Sequence, residues 1–554
     1  MAANPKFNDW LANRSGIPAQ DAKALAARHS RDGMELLLAL AAKHPKRIDD
    51  LGRAWGDSLG VAYVPPDRTL VQPEAVKRLS RTMAEKHGAL PIYEMNYVVT
   101  VATSTPENRD LGNILEPLMD RHVSLVFAFP HQIQAAIEVA YVEAGELASM
   151  LGGEDGFGRL GELSREKAVK EFARGLLLLA LRERASDVHL EPMEDDVRIR
   201  FRKDGVLQEA MRIGLDALPT LTNHLKILAE VDIAENRKPQ DGRITLSAGS
   251  REIDVRMSCV PTIYGTKTVM RLLGQNAFAA VPEMEELSFS KSVLDDMGKI
   301  LASPNGIFFI TGPTGSGKTT TLFAALKRLN QSGINVMTVE DPVEYRLPGL
   351  NQVQVNPAAG VTFASAMRAF LRQDPNVILI GEIRDPETAT IAAQAALTGH
   401  LVMATMHTNS ALQAVTRLIQ IGVEPFLVAP SLIGVMAQRL VRRLCDNCKE
   451  RRELAPAEIQ RYFEWDGTTR VGFCRPVGCE RCGGTGFQGR LAIHELFVID
   501  EQTRELIARG ASILDIQRHA RERGYRSMRY DGYKKVLRGL TTPEEVDRAM
   551  VEPE

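Results

Sequence analysis

Apolar residues recur at helical spacing over the first fifty positions, as Ala22, Leu25 and Ala26 and then Met34, Leu37, Leu38 and Ala41, which predicts helices there. Further on the pattern changes to short β-rich runs. Residues 97–101, 197–201 and 253–257 predict strands within an α+β setting. After Pro282, helical stretches alternate with the runs 307–311, 336–339, 377–380 and 401–405, the rhythm of a parallel sheet. Between the two regimes, Gly152, Gly153, Gly156, Gly158 and Gly161 interrupt all periodicity. The resulting organisation is an N-terminal region over 1–150 (a helical start, then an α+β domain over about 55–145) and a flexible linker over 151–166. A second α+β domain spans 167–280, a parallel-sheet core 281–438, and a C-terminal part 439–554. Thr542, Pro543 and Glu545 predict the start of the last helix, as N-cap, first-turn proline and capping acid.

The length, 554 residues, suits roughly three to four domains. Charge alters the picture little: 68 Lys and Arg face 70 Asp and Glu, so no net positive field draws the whole chain to nucleic acid. No signal peptide is visible, and no apolar run approaches the roughly 18 residues needed to span a bilayer. A cytoplasmic protein is expected.

Candidate chemistry begins where the first core run ends. Gly312-Pro313-Thr314-Gly315-Ser316-Gly317-Lys318-Thr319 fits G-x-x-x-x-G-K-T directly after a strand, and Thr320 follows it. Glycines let successive backbone N–H groups point at phosphate oxygens. Lys318 supplies a mobile cation, and Thr319 offers a hydroxyl to Mg²⁺. A nucleoside triphosphate, ATP, is the expected ligand, and its hydrolysis needs an acidic group beside the γ-phosphate. Two strand ends carry one: residues 376–382 deliver Glu382, and residues 339–344 carry Glu340, Asp341 and Glu344. A third strand end brings His407 to the same edge as a candidate γ-phosphate sensor.

Five of the six cysteines lie between 445 and 482. Cys445-x-x-Cys448 and Cys479-x-x-Cys482 form two knuckles, the pattern of a closed, structural tetrahedral Zn²⁺ site.

These motifs, in this order, resemble the signature boxes of the ATPases that drive type II secretion and type IV pilus assembly. The likeness is carried by residues 311–321, 339–345, 371–385 and 398–409. Ala185-Ser186-Asp187-Val188-His189-Leu190-Glu191-Pro192 and Pro239-Gln240-Asp241-Gly242-Arg243 are similar to that family's second N-terminal domain, and the match continues through Asp531-Gly532 to Val546. The resemblance implies a RecA-like P-loop core preceded by α+β domains, the second PAS-like, and followed by the zinc knuckle and helices. It implies a homo-hexamer in which an arginine of the smaller domain reaches the phosphates, with Arg243, Arg256 and Arg271 as candidates. Glu344 is assigned to polarise the attacking water and Glu382 to assist Mg²⁺, and the spacing leaves the reverse assignment open.

The implied partners are an inner-membrane platform protein and a cytoplasmic adaptor, with peripheral attachment to that membrane and no nucleic acid. The implied function is pilus extension, with pseudopilus assembly in type II secretion as the alternative and nucleic-acid translocation as a remote one. Some members bind cyclic di-GMP through the N-terminal region, but no copy of that motif is evident near residues 31–38 or 47–60. The sequence departs from the family pattern at Met403, Met406, Ser410 and His494.

Overall fold

Helices predicted from the early apolar spacing form at Ala19–Arg28 and Gly33–Lys43. With Pro5–Asn13 and Ile48–Leu59 they bury Phe7, Leu37, Leu40 and Leu51 against Phe127 and Phe129. The computed structural model describes residues 5–13, 17–29, 33–67, 69, 71–151, 162–248, 251–273, 281–462 and 471–550. The chain divides into two units, residues 1–275 and 276–554.

In the first unit, the run expected at 97–101 is β2 (Val98–Thr103), the middle strand between β1 (Ala89–Met95) and β3 (His122–Phe127). The predicted linker falls mostly on residues 152–161, which lie outside the described residues. Its last part, 162–166, is helical, because helix formers return as soon as the glycines end and Glu162–Arg182 starts there. A six-stranded antiparallel sheet follows: β4 (Asp187–Pro192), β5 (Asp196–Lys203), β6 (Val206–Gly214), β7 (Gln240–Ala248), β8 (Arg251–Thr262) and β9 (Gly265–Leu272), in the order β6-β5-β4-β9-β8-β7. Alternation puts Val188, Leu190, Ile199, Phe201, Val255, Met257 and Met270 in one core with the helices Glu162–Arg182 and Leu218–Leu228. The other face carries charge.

In the second unit the four predicted core runs are β10 (Gly306–Thr311), β11 (Val336–Glu340), β13 (Val377–Ile380) and β14 (Leu401–Met406), with β12 (Asn351–Gln354) at one edge. Two long strands complete the sheet. β15 (Leu432–Leu444) lies beside β10, and after a small ribbon of β16 (Glu450–Glu453) and β17 (Gly472–Arg475), β18 (Phe487–Val498) closes the far edge. The order is β12-β11-β13-β14-β10-β15-β18, parallel throughout except for β18. The boundary expected between 438 and 439 therefore falls inside β15. The cysteine segment is an insertion between two strands of one sheet, which is why composition changes there while the core does not end.

Strand alternation builds the two layers. Ile307, Phe309, Ile378, Ile380, Val402 and Ala404 face the layer containing helices Pro386–Leu397 and Ala411–Ile421. Phe308, Ile310, Val377, Leu379, Leu401 and Met403 face the layer of Lys291–Leu301 and Lys318–Leu329. Burial on both faces accounts for the continuous apolar runs read in the sequence. Among the described residues, no helix is long and apolar enough to cross a membrane.

The last helix, Pro543–Met550, begins as predicted, with Thr542 Oγ1 3.4 Å from the Glu545 amide. Glu545, however, is spent elsewhere. Its buried carboxylate accepts from the Arg442 backbone N–H at 3.0 Å, from Arg442 Nη2 at 2.7 Å and from Arg548 Nη2 at 2.6 Å, fastening the helix to β15. Glu545→Ala is expected to destabilise this unit by about 2–3 kcal/mol, since it strands a charged partner and a backbone donor. Urea denaturation followed by circular dichroism, with an unchanged midpoint counting against the fastening, checks it.

Candidate functional site

β10 ends at Thr311 and the helix Lys318–Leu329 starts seven residues later, so the glycine loop spans a strand-to-helix turn at the C-terminal edge of the sheet. Gly312 and Gly317 have φ of +146° and +88°. A Cβ on Gly312 would fall 2.3 Å from the Gln438 carbonyl oxygen, and one on Gly317 would fall 2.8 Å from Gln438 Nε2. No side chain fits either position.

Gln438, on β15, is buried and braces the loop from beneath. Its Nε2 donates to the Ser316 carbonyl at 2.8 Å, and its Oε1 accepts from the Thr321 hydroxyl at 2.9 Å. The motif search missed this residue; a lone glutamine inside the apolar run 432–441 is its only sequence signal. Pro313, Thr314 and Gly315 are exposed, while Ser316 is buried with its Oγ without a hydrogen-bond partner in the chain. A backbone cradle with an orphaned hydroxyl fits a phosphate group.

Lys318 Nζ folds back over the loop, donating to the carbonyls of Gly312 at 2.8 Å and Pro313 at 3.1 Å. Burial lowers its pKa to about 8, against the opposing charges of Glu382 and Glu344. Both carboxylates thus act on this ammonium. Thr319 follows it in the first helical turn, and Thr320 Oγ1 lies 3.2 Å from the Tyr345 hydroxyl.

The acidic residues separate by burial. Glu340, at the end of β11, is enclosed, held by Thr338 at 2.6 Å and the Gln352 amide at 3.2 Å, and burial pushes its pKa up. Glu344 is exposed. Glu382, just past β13, is partly buried, with Oε2 2.7 Å from Arg384 Nε and 3.6 Å from His407 Nε2. Burial, then the Lys318 charge, lowers the His407 pKa and favours the neutral ring. Thr311 fixes the neighbourhood: its hydroxyl lies 2.8 Å from Thr408 Oγ1 and accepts from the Thr408 amide at 2.8 Å, tying the ends of β10 and β14 together. Lys318, Glu344, Glu382 and His407 therefore share one edge of the sheet. Thr319 and Glu382 offer the oxygen ligands that Mg²⁺ takes beside a polyphosphate.

The three candidate arginines belong to the first unit. Arg243, Arg256 and Arg271 occupy directly paired positions on β7, β8 and β9. Arg271 Nε donates to the buried carboxylate of Asp187 at 2.8 Å, while Arg243 and Arg256 have no ion pair among the described residues.

Cys445, Cys448, Cys479 and Cys482 come together at the end of β15 and before β18, with all four sulfurs within 4.8 Å of one another. Cys445–Cys479, Cys448–Cys482 and Cys479–Cys482 stand 3.9, 3.8 and 3.8 Å apart. Four thiolates at about 2.3 Å from a tetrahedral zinc would be separated by about 3.8 Å. Backbone N–H groups of Cys479 and Gly486 reach Cys482 Sγ at 3.2 and 3.1 Å, and Asn447 Nδ2 reaches Cys479 Sγ at 3.4 Å, bonds that favour sulfur in its thiolate form. The donor set fits zinc and leaves no position for a catalytic water.

The phosphate loop, the parallel sheet and the acidic strand ends define a RecA-like P-loop nucleotide-binding protein. The family model described as "Type II/IV secretion system protein" matches residues 162–548, and an MshEN domain model matches residues 59–147. The chain belongs to this type II/IV secretion system protein family. It is 42% identical over 539 residues to a type IV pilus assembly ATPase of Thermus thermophilus, an alignment covering 94% of this chain and 59% of that longer protein. It is 44% identical over 462 residues to the type II secretion system protein HxcR of Pseudomonas aeruginosa, covering 81% of this chain and 94% of the relative. The fold is also similar to that of the Legionella pneumophila ATPase DotB (TM-score 0.50, 20% identity, 69% of this chain and 94% of that one).

Gln438→Leu removes both braces of the phosphate loop and is expected to weaken nucleotide binding at least about tenfold. Titration with a fluorescent ADP analogue measures it, and unaltered affinity in a folded variant would remove Gln438 from the site. Protein purified without added metal is expected to carry about one zinc per chain by elemental analysis. Zinc-free protein with four titratable thiols and wild-type melting would refute the assignment.

Proposed function

We propose that this chain is a cytoplasmic Mg-dependent ATPase motor that powers type IV pilus assembly at the inner membrane. The observation that carries the reading is the convergence of Lys318, Glu344, Glu382 and His407 beside a glycine loop that accepts no side chain. In this reading the loop N–H groups and Lys318 hold the β- and γ-phosphates. Thr319 and Glu382 hold Mg²⁺, which when bound neutralises charge on the phosphate oxygens. Glu344, exposed and uncommitted to any ion pair among the described residues, orients the attacking water. His407, poised between Glu382 and the charge of Lys318, senses the γ-phosphate.

Six chains form the ring. Arg243, Arg256 and Arg271 complete the phosphate site, from the same chain or a neighbour. The ring works through a membrane platform protein and a cytoplasmic adaptor, and nucleic acid has no part in it.

What supports the pilus pathway over type II secretion is the reach of the alignment along this chain, 94% and 98% for two pilus-assembly relatives against 81% for the secretion relative, while the level of identity, 42% and 37% against 44%, does not separate them. The second reading differs only in the filament assembled.

Lys318→Ala is expected to lose nucleotide affinity. Glu344→Gln and Glu382→Gln should retain ATP while turnover falls by about two orders of magnitude or more. Specific activity per chain should rise with concentration as rings form. Mixing Glu382→Gln chains with a triple Arg243, Arg256, Arg271→Ala variant should restore partial turnover if the arginines act in trans. Near-normal phosphate release by both carboxylate variants, or full activity in a monomer by sedimentation, would overturn these assignments.

A further inference from the structure

Gln438 and Arg439 are consecutive on β15, so the pleat sends them to opposite faces of the sheet. Gln438 goes with Met436 to the layer of Lys318–Leu329, where it braces the phosphate loop. Arg439 goes with Val435, Ala437 and Val441 to the layer of Ala411–Ile421. Thr311, the last residue of β10, is paired with Ala437, so Arg439 stands past the point where β10 turns into the loop. There its Nη2 donates to Asn409 Oδ1 at 3.2 Å. Asn409 belongs to the stretch after β14, and β14 lies on the far side of β10, about 10 Å from β15. The arginine thus reaches past the end of one strand to the stretch that follows the next.

Arg439 is 8% exposed, and its Nε is buried without a hydrogen-bond partner. Among the described residues no carboxylate forms an ion pair with it. The acid closest by register on that face is Glu495, opposite Ala437, and its oxygens accept from the Ala411 and Met528 amides. A buried cation without a counter-charge costs more than a well-packed apolar side chain of similar size. Packing therefore does not account for an arginine here. What it touches does. Asn409 is two residues from His407, whose Nε2 stands 3.6 Å from Glu382. Thr311 holds the residue between them, Thr408, through its amide and its hydroxyl, both at 2.8 Å. The histidine segment is thus tied to β10 at one residue and to β15 at the next.

We propose that Arg439 is a positioning residue that acts through Asn409 to keep His407 in place beside Glu382. This assignment rests on the ATPase reading above. It divides the nucleotide edge between two neighbours on one strand. Gln438 shapes the loop that any nucleotide meets, and Arg439 sets the histidine segment that only a γ-phosphate reaches. An arginine suits the span because its planar group fixes the direction of each N–H, whereas a lysine ammonium turns freely.

The test uses full-length protein, with kcat, KM for ATP, affinity for a fluorescent ADP analogue, affinity for a non-hydrolysable ATP analogue by competition, and melting temperature measured together. Arg439→Met, which keeps length and loses the donors, is expected to lower kcat about tenfold to a hundredfold, because a small misplacement of a sensing group is costly. The preference for the ATP analogue over ADP should shrink at least about threefold while ADP affinity stays within about twofold. Melting temperature should not fall, since the substitution removes an unpaired buried charge. In an Asn409→Ala background, Arg439→Met should cost nothing further, because the guanidinium acts only through that side chain. Arg439→Lys, which keeps the charge and loses the planar fork, should give an intermediate kcat.

Wild-type turnover in Arg439→Met, an equal loss of ADP and ATP-analogue affinity, a melting temperature that falls with activity, an equal fractional loss with and without Asn409, or failure of both Arg439 variants to fold would each overturn the proposal and leave the ATPase reading intact. A parent protein that binds the ADP analogue but releases no phosphate from ATP would overturn that reading and this proposal with it.

Discussion

The side-chain amide of Gln438 meets the phosphate loop on two sides, giving an N–H to the Ser316 carbonyl and taking the Thr321 hydroxyl. The shape of the phosphate loop depends on that brace, because the loop carries three glycines at positive φ, with little intrinsic preference for one shape. The brace exists only because β15 lies next to β10, and this adjacency is also what forbids a Cβ at Gly312 and Gly317. Loop sequence and sheet order are therefore one constraint. The glycines permit the curl, and the neighbouring strand selects it.

The same sheet ties this edge to the terminal helices. Glu495, buried on β18, accepts from the Ala411 amide at 2.8 Å with one oxygen and from the Met528 amide at 3.0 Å with the other. Those amides open the helices Ala411–Ile421 and Met528–Leu537. One carboxylate thus caps two helix N-termini, where an anion is favoured by both free N–H groups and the dipole. The first helix begins four residues after His407. Any shift of the histidine segment with nucleotide state is tied through Glu495 to the terminal helices, which Glu545 and Arg442 fasten to β15. Burial in the sheet makes these links stiff, since moving either helix breaks a hydrogen bond to a buried carboxylate that Tyr525 also holds.

Much of this was legible in the sequence. The phosphate loop could be read because its residue types have few other uses together, and β10, β11, β13 and β14 because burial on both faces forces unbroken apolar runs. β15 was not, since Gln438, Arg439, Arg442 and Arg443 interrupt its apolar run, and their burial or pairing depends on elements far away in the chain. β18 was hidden behind the cysteine insertion, which looked like the start of a new domain. The carboxylates at residues 340–344 were indistinguishable by composition, and only burial separates the enclosed Glu340 from the exposed Glu344. Arg243, Arg256 and Arg271 were each visible as candidates. Their shared row was not, because cross-strand register is set by the whole sheet and not by any one strand.

Three arginine clusters in this chain share one electrostatic arrangement. A carboxylate buried nearly completely takes one edge of a guanidinium: Glu191 holds Arg198 and Arg200, Asp187 holds Arg271, and Glu545 holds Arg442 and Arg548. At Glu191 three cations, Arg198, Arg200 and Lys267, surround one carboxylate, so positive charge is left over there as well. At Asp187 two guanidinium groups, of Arg202 and Arg271, face one carboxylate, and Arg256 and Arg243 extend the row on the neighbouring strands. Burial gives the acid its strength in both cases, because a carboxylate withdrawn from water cannot give up its cation cheaply.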